Sequence, residues 1–204
     1  MKNKKQIIFI HGGECFATNA DYILSLKQYK LEKRKLFKSN KWTESLDRKL
    51  PKFEVLSPEM PNRWNSKYPE WEIYFKKIFP FLKTKVILVG HSLGAIFLLK
   101  YLSENNFPKK ISQLHLVAPA VLDDGLGLEK LSGFKPNIKK INKIEKKCDE
   151  IHLYHSKDDS VCIFKNSEII KKNIPSSNFH VFTNRGHFSQ TSFPEILKVI
   201  KKVK

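Results

Sequence analysis

Apolar residues fall along the chain in short extended runs separated by longer segments of helical spacing. Gln6 to Ile10, Phe53 to Leu56, Val86 to Val89, Gln113 to Ala118, Glu150 to His155 and Asn178 to Phe182 read as strands. The helical pieces lie between them. Asp21 to Phe37 carries Tyr22, Leu26, Tyr29 and Lys33 at helical spacing, and Trp42 to Leu50 is a short piece ended by Pro51. Pro69 to Phe79, the apolar run after Gly94, and Ile163 to Asn173 predict three more helices, and Pro194 opens a closing one at its first turn. Residues 119–136 read as loop. From Phe134, Ile138, Ile141 and Ile144 recur every three residues among lysines, which predicts an amphipathic helix with a basic outer face. Strands that alternate with helices predict an α/β fold, a mainly parallel sheet with helices on both faces. With no internal repeat, linker or second core, residues 1–204 are expected to form one domain.

The formal charge of +18 raises the question of nucleic acid or anionic membrane. Of the 38 basic residues only Arg34, Arg48, Arg63 and Arg185 are arginine, the better reader of bases and phosphates. The lysines are spread along the whole chain, so the expectation is a solvated surface with weak, salt-sensitive attraction at most, and no specific nucleic-acid partner. No apolar run is long enough for a transmembrane segment. Met1 to Lys5 resembles the basic start of a signal peptide, but the run that follows is strand-sized and too short for secretion. Cys15, Cys148 and Cys162 have no metal-type spacing and read as reduced thiols of a cytoplasmic protein.

Candidate chemistry centres on Gly90-His91-Ser92-Leu93-Gly94, set between a buried strand and an apolar helix. A sharp turn of this kind lifts one hydroxyl out of the end of a sheet, with glycines where larger side chains would clash. Ser92 is therefore the candidate nucleophile, and it needs a base in contact and an acid to orient that base. In a parallel sheet such groups gather at the carboxyl ends of strands. His187 follows the last strand behind Gly186 and is the candidate base. His115, His152 and His180 lie inside strands and are expected to pack or bond locally. His91 is expected to point away from Ser92. The acid is expected after the strand ending near His155, where Asp158 and Asp159 stand side by side; the other of the two should cap the next helix or face solvent. Asp123 and Asp124 are the fallback. Backbone N–H donors for a developing oxyanion are expected from Leu93, at a helix start, and from the loop after the first strand, where Gly13 is favoured over Glu14 and Cys15. Trp64, Trp71, Phe134 and Phe188 are candidates to line a substrate pocket, Trp64 and Phe188 first. The arrangement needs no metal and no organic cofactor.

With these residues in place the chain resembles the α/β-hydrolases. More narrowly it is similar to the small, cap-poor serine hydrolases of the YdeN and retinoblastoma-binding-protein-nine group. The resemblance rests on His11-Gly12, the Gly-His-Ser-Leu-Gly turn, Met60-Pro61 with Glu70-Trp71, Ser156-x-x-Asp159 before Val161, and Gly186-His187. It covers nearly the whole chain, although Asp21 to Leu50 is longer than compact members require. In that group the acid stands three residues after the small residue that ends its strand, which selects Asp159. Proline often follows the acid there, and Ser160 replaces it here. The resemblance implies a Ser92–His187–Asp159 triad cleaving carboxylic esters or related small acyl compounds, without a cofactor.

Overall fold

The computed structural model describes residues 4–37 and 40–203, and of residues 34 and 35 the backbone alone. Met1 to Asn3, the first part of the basic start, lie outside the described residues. Among the described residues six strands form one sheet: β1 (Lys5–Ile10), β2 (Phe53–Leu56), β3 (Lys85–His91), β4 (Lys110–Val117), β5 (Cys148–Ser156) and β6 (Asn178–Phe182). Their order is β2-β1-β3-β4-β5-β6, and each neighbouring pair runs parallel. The chain steps from β1 to β2 on one side and returns to β3 on the other. That reversal opens a crevice beyond the carboxyl ends of β1 and β3, the place where open α/β sheets bind ligands.

Alternate strand residues feed two separate cores, as a doubly covered sheet requires. Ile8, Ile10, Leu88, Leu114, Leu116 and Leu153 pack beneath α3 (Tyr68–Lys77), α4 (Leu93–Glu104) and α5 (Lys165–Asn173). Ile7, Phe9, Ile87, Val89 and Tyr154 face the other way, against Trp42, α2 (Leu46–Lys49) and α6 (Pro194–Ile200). Ten of the twelve residues of α4 are buried, so this apolar helix is held by packing along nearly its whole length.

Two expected helices differ from the structure. α1 spans only Asn19–Gln28, and Tyr29 already has extended backbone; a separate 3₁₀ turn follows at Lys33–Leu36. α1 buries none of its residues, so tertiary packing cannot extend it. Its support is local: the Thr18 hydroxyl accepts from the Asp21 amide while the Asp21 carboxylate accepts from the Thr18 amide. The basic segment after Phe134 is a 3₁₀ helix over Ile138–Lys146, not an α-helix. Its spacing explains why. A strict three-residue repeat lines up Ile138, Ile141 and Ile144 when the helix has three residues per turn, and Ile141 and Ile144 are buried. No helix among the described residues is long and apolar enough to cross a membrane.

Candidate active site

The turn from β3 into α4 places Ser92 at the crevice. Ser92 has φ 54° and ψ −123°, a left-handed backbone that only tight packing sustains in a residue with a side chain. Its amide donates to the Val117 carbonyl at 2.9 Å, and its carbonyl accepts from Ala95 and Ile96. A Cβ at Gly90 would stand 2.6 Å from the Ala95 Cα; one at Gly94 would stand 2.2 Å from the Ile10 carbonyl oxygen. Strand β1 therefore meets the start of α4 through a gap that only hydrogen fits. Leu93, the first residue of α4, has an amide with no acceptor within its own helix.

The loop after β1 is pinned beside this turn. The His11 Nδ1–H donates to the Gly12 carbonyl at 2.6 Å, and His11 Nε2 accepts from the Met60 amide at 2.8 Å. Burial holds this imidazole below its ordinary basicity, as an acceptor at Nε2 requires. The ring packs edge-on against Trp71, whose indole N–H donates to the Pro61 carbonyl at 2.7 Å. Met60-Pro61 and Trp71 thus brace the loop. A Cβ on Gly12 would lie 3.2 Å from the Ser92 Cβ, which measures how closely the loop approaches. The Glu14 amide is spent on the Arg63 carbonyl at 2.8 Å, and the Cys15 amide bonds Glu129. Of the three amides considered for the oxyanion, Gly13 alone has no acceptor among the described residues.

β5 and β6 supply the acid and the imidazole. Asp159 is buried; its Oδ2 accepts from His187 Nδ1 at 2.9 Å, while its Oδ1 accepts from the Val161 and Cys162 amides at 2.8 and 2.9 Å. Burial pushes the Asp159 carboxyl up, but the His187 N–H and the two amides outweigh it and hold it below the usual carboxylate range. His155 Nε2 lies 3.6 Å from the same Oδ2 and donates to the Cys162 carbonyl at 2.7 Å. Asp158 caps no helix and faces solvent, the second of the two expectations, yet it is not idle. It accepts from the Ser156 hydroxyl and, at 3.0 Å, from the Gly186 amide, so it ties the histidine loop to the end of β5.

Ser92 and His187 line one cleft of about 370 Å³, with Gly12, Gly13 and Trp64 on its walls. No hydrogen bond joins the Ser92 hydroxyl to the His187 ring among the described residues. His91 reaches the histidine loop: its Nε2–H donates to the His187 carbonyl at 2.9 Å, and its ring lies 5.1 Å from the ring of His187. Burial, followed by the neighbouring His187 charge, brings His91 down to about 3, so it acts here as a neutral brace. The sequence held no signal for this role beyond adjacency to Ser92.

The aromatic candidates divide. Trp64 is half exposed on the cleft wall. Phe188 corrects the expectation: it is 1% exposed, packs against Phe182 and Phe193, and accepts the Trp42 indole N–H on its carbonyl. It anchors the histidine loop from the core side instead of lining the cleft. Trp71 and Phe134 are likewise buried against each other. Asp123 holds Leu131 and Lys135 of its own loop. His115, His152 and His180 bond Tyr154, Glu150 and one another within the sheet. Glu129, from a loop with no motif to mark it, is a cleft residue that sequence reasoning missed; burial, then the Glu14 charge, pushes its carboxyl up to about 7. A larger groove of about 810 Å³ opens at the amino end of the sheet beside Lys5 and Phe53 and contains none of the candidate residues.

The sheet order, the serine turn and the buried acid–imidazole pair define an α/β-hydrolase. Residues 37–202 match the model of the serine hydrolase family, and the chain belongs to that family. It is 27% identical over 168 residues to the serine hydrolase RBBP9 of Rattus norvegicus, spanning 79% of this chain and 84% of that one. Among solved structures it is similar to the ydeN gene product of B. subtilis, with a TM-score of 0.74, 21% identity and 98% of each chain covered. It also matches the esterase domain of a Rhodothermus marinus protein, with a TM-score of 0.58 and 14% identity over 92% of this chain and 79% of that one.

Proposed function

We propose that the protein hydrolyses carboxylic esters or related small acyl compounds through Ser92, His187 and Asp159. One observation carries this reading: His187, bonded from behind by the buried Asp159, lines the same cleft as a serine held at φ 54° at a helix start. His187 takes the proton of Ser92 as the hydroxyl attacks the acyl carbonyl, and Asp159 keeps Nδ1 protonated and balances the imidazolium. The Leu93 and Gly13 amides receive the developing oxyanion. His187 passes the Ser92 proton to the leaving oxygen; expulsion of the alcohol leaves an acyl-enzyme, and the now neutral His187 activates the water that releases it. The lack of a Ser92–His187 hydrogen bond among the described residues fits a resting enzyme, since such bonds commonly tighten only with substrate. The same triad supports acyl transfer where an alcohol or amine replaces water. Free thiols at Cys15, Cys148 and Cys162 fit a reducing cytoplasm.

A fluorophosphonate probe is expected to label the protein, and Ser92→Ala to abolish labelling while circular dichroism stays unchanged. Asp159→Asn should cut kcat on a p-nitrophenyl ester by about 10⁴-fold, as loss of the orienting carboxylate does elsewhere. Asp158→Asn should cost far less. Absence of labelling in the folded parent chain would instead favour a binding protein on a hydrolase scaffold.

A further inference from the structure

α1 is built inside out. Asp21, Tyr22 and Ser25 are half-buried, while Ile23 and Leu24 are 41% and 42% exposed. The exposed apolar surface continues beyond it through Leu31, Leu36 and Phe37, the last two at 67% and 66%. An isolated exposed leucine needs no explanation, but a run of them on one excursion marks an interaction surface. The excursion is also cationic: between Asn19 and Phe37 stand Lys27, Lys30, Lys33, Arg34 and Lys35 against Asp21 and Glu32. It lies mostly ahead of the residues that match the family model, which begin at residue 37.

The surface runs into the cleft. Tyr29 meets the Trp64 ring edge-on at 6.2 Å, and Trp64 lines the cleft that holds Ser92; Tyr22 packs on Phe16 at the base of the same excursion. We propose that residues 19–37 dock on an anionic lipid surface and present lipid esters to the Ser92 cleft, an inference that for its second half rests on the hydrolase reading above. Lysines interleaved with outward apolar side chains fit such a surface. Each lysine close to anionic headgroups adds attraction, and each apolar side chain that enters the acyl boundary adds burial. A second copy of the chain is the poorer occupant, because each copy brings the same cationic excursion and a formal charge of +18.

The test uses the full chain carrying Ser92→Ala, so that binding is read without turnover. It is expected to sediment at low salt with vesicles of phosphatidylcholine and phosphatidylglycerol, to be released by high salt, and to stay in solution with phosphatidylcholine alone. Replacing Leu24, Leu36 and Phe37 by serine, all exposed, should leave circular dichroism unchanged and lower partition about tenfold. In the active chain the same serines should leave cleavage of a short p-nitrophenyl ester intact and slow cleavage of a long-chain ester held in anionic vesicles by about the same factor. No binding at low salt, equal binding to neutral vesicles, or binding indifferent to the serines would overturn the inference. So would a dimer in sedimentation velocity that the serines disperse, with no vesicle binding. Serine-sensitive vesicle binding by a chain that no fluorophosphonate labels would support docking and sink the hydrolase reading.

Discussion

α4 and α1 are both short, leucine-bearing helices near the cleft, and the protein uses them in opposite ways. α4 buries ten of its twelve residues and α1 buries none. The first is defined by what surrounds it: β1 closes on Gly94, β4 holds the Ser92 amide, and the Trp71 layer backs its apolar side. The second is defined by its own capping box and leaves its apolar side chains to solvent. Apolar content alone therefore does not place a helix in a core. Neighbours that close over it do.

The sharpest way to break this contrast is to truncate one tryptophan on each side of it. Trp71 is fully buried beside α4, whereas Trp64 is half exposed beside the α1 excursion. Trp71→Ala is expected to cost about 3–5 kcal/mol in urea unfolding, and Trp64→Ala less than about 0.5 kcal/mol. Equal losses would erase the distinction. Next, Gly94→Ala puts a methyl group 2.2 Å from the Ile10 carbonyl oxygen and should cost about 3 kcal/mol, shown by a lower urea midpoint.

A smaller effect separates the sheet from the excursion by pH. His91, His115, His152 and His180 all titrate below the free imidazole value of 6.5, each because burial disfavours its charged form. The unfolded chain therefore binds protons that the folded chain refuses. Stability is full above about pH 6.5 and falls below it, by about 1.4 kcal/mol per pH unit for each such proton, down toward about 3 for His91. Melting temperature followed from pH 8 to pH 5 should drop accordingly, and His91→Gln should make the curve shallower. α1 contains no histidine, so its variants should shift the curve without changing its slope. Smallest of all, Leu24→Ser with Ile23→Ser should move the urea midpoint by less than about 0.5 kcal/mol, since both side chains already meet water.

The parts of the molecule legible in the sequence are those where local pattern and global packing agree. Buried strand runs and the glycine-flanked serine were readable because sterics at Gly90 and Gly94 leave no substitute. The mainly parallel, doubly covered sheet followed from alternation, whereas the order of its strands came only with the structure. What escaped was long-range. The isoleucine spacing after Phe134 was visible, but whether it closes as a 3₁₀ or an α-helix depends on the floor beneath it. Asp158 faces solvent as one expectation had it, but its bonds were not foreseeable, because its partners, Ser156 and Gly186, meet only once β5 and β6 pair. Phe188 looked like a pocket residue because it follows His187, yet φ 51° at that position turns it into the core. Glu129 came from a loop without any pattern at all.

The twisted backbone at Ser92 carries one last consequence. A residue with a side chain in that conformation costs on the order of 1–3 kcal/mol, and glycine, which has no hydroxyl, would occupy it with less strain. Reactivity and cohesion therefore pull in opposite directions at one position. The most durable version of this chain would be an inert one, and surplus packing around α4 is what lets the reactive version stay folded.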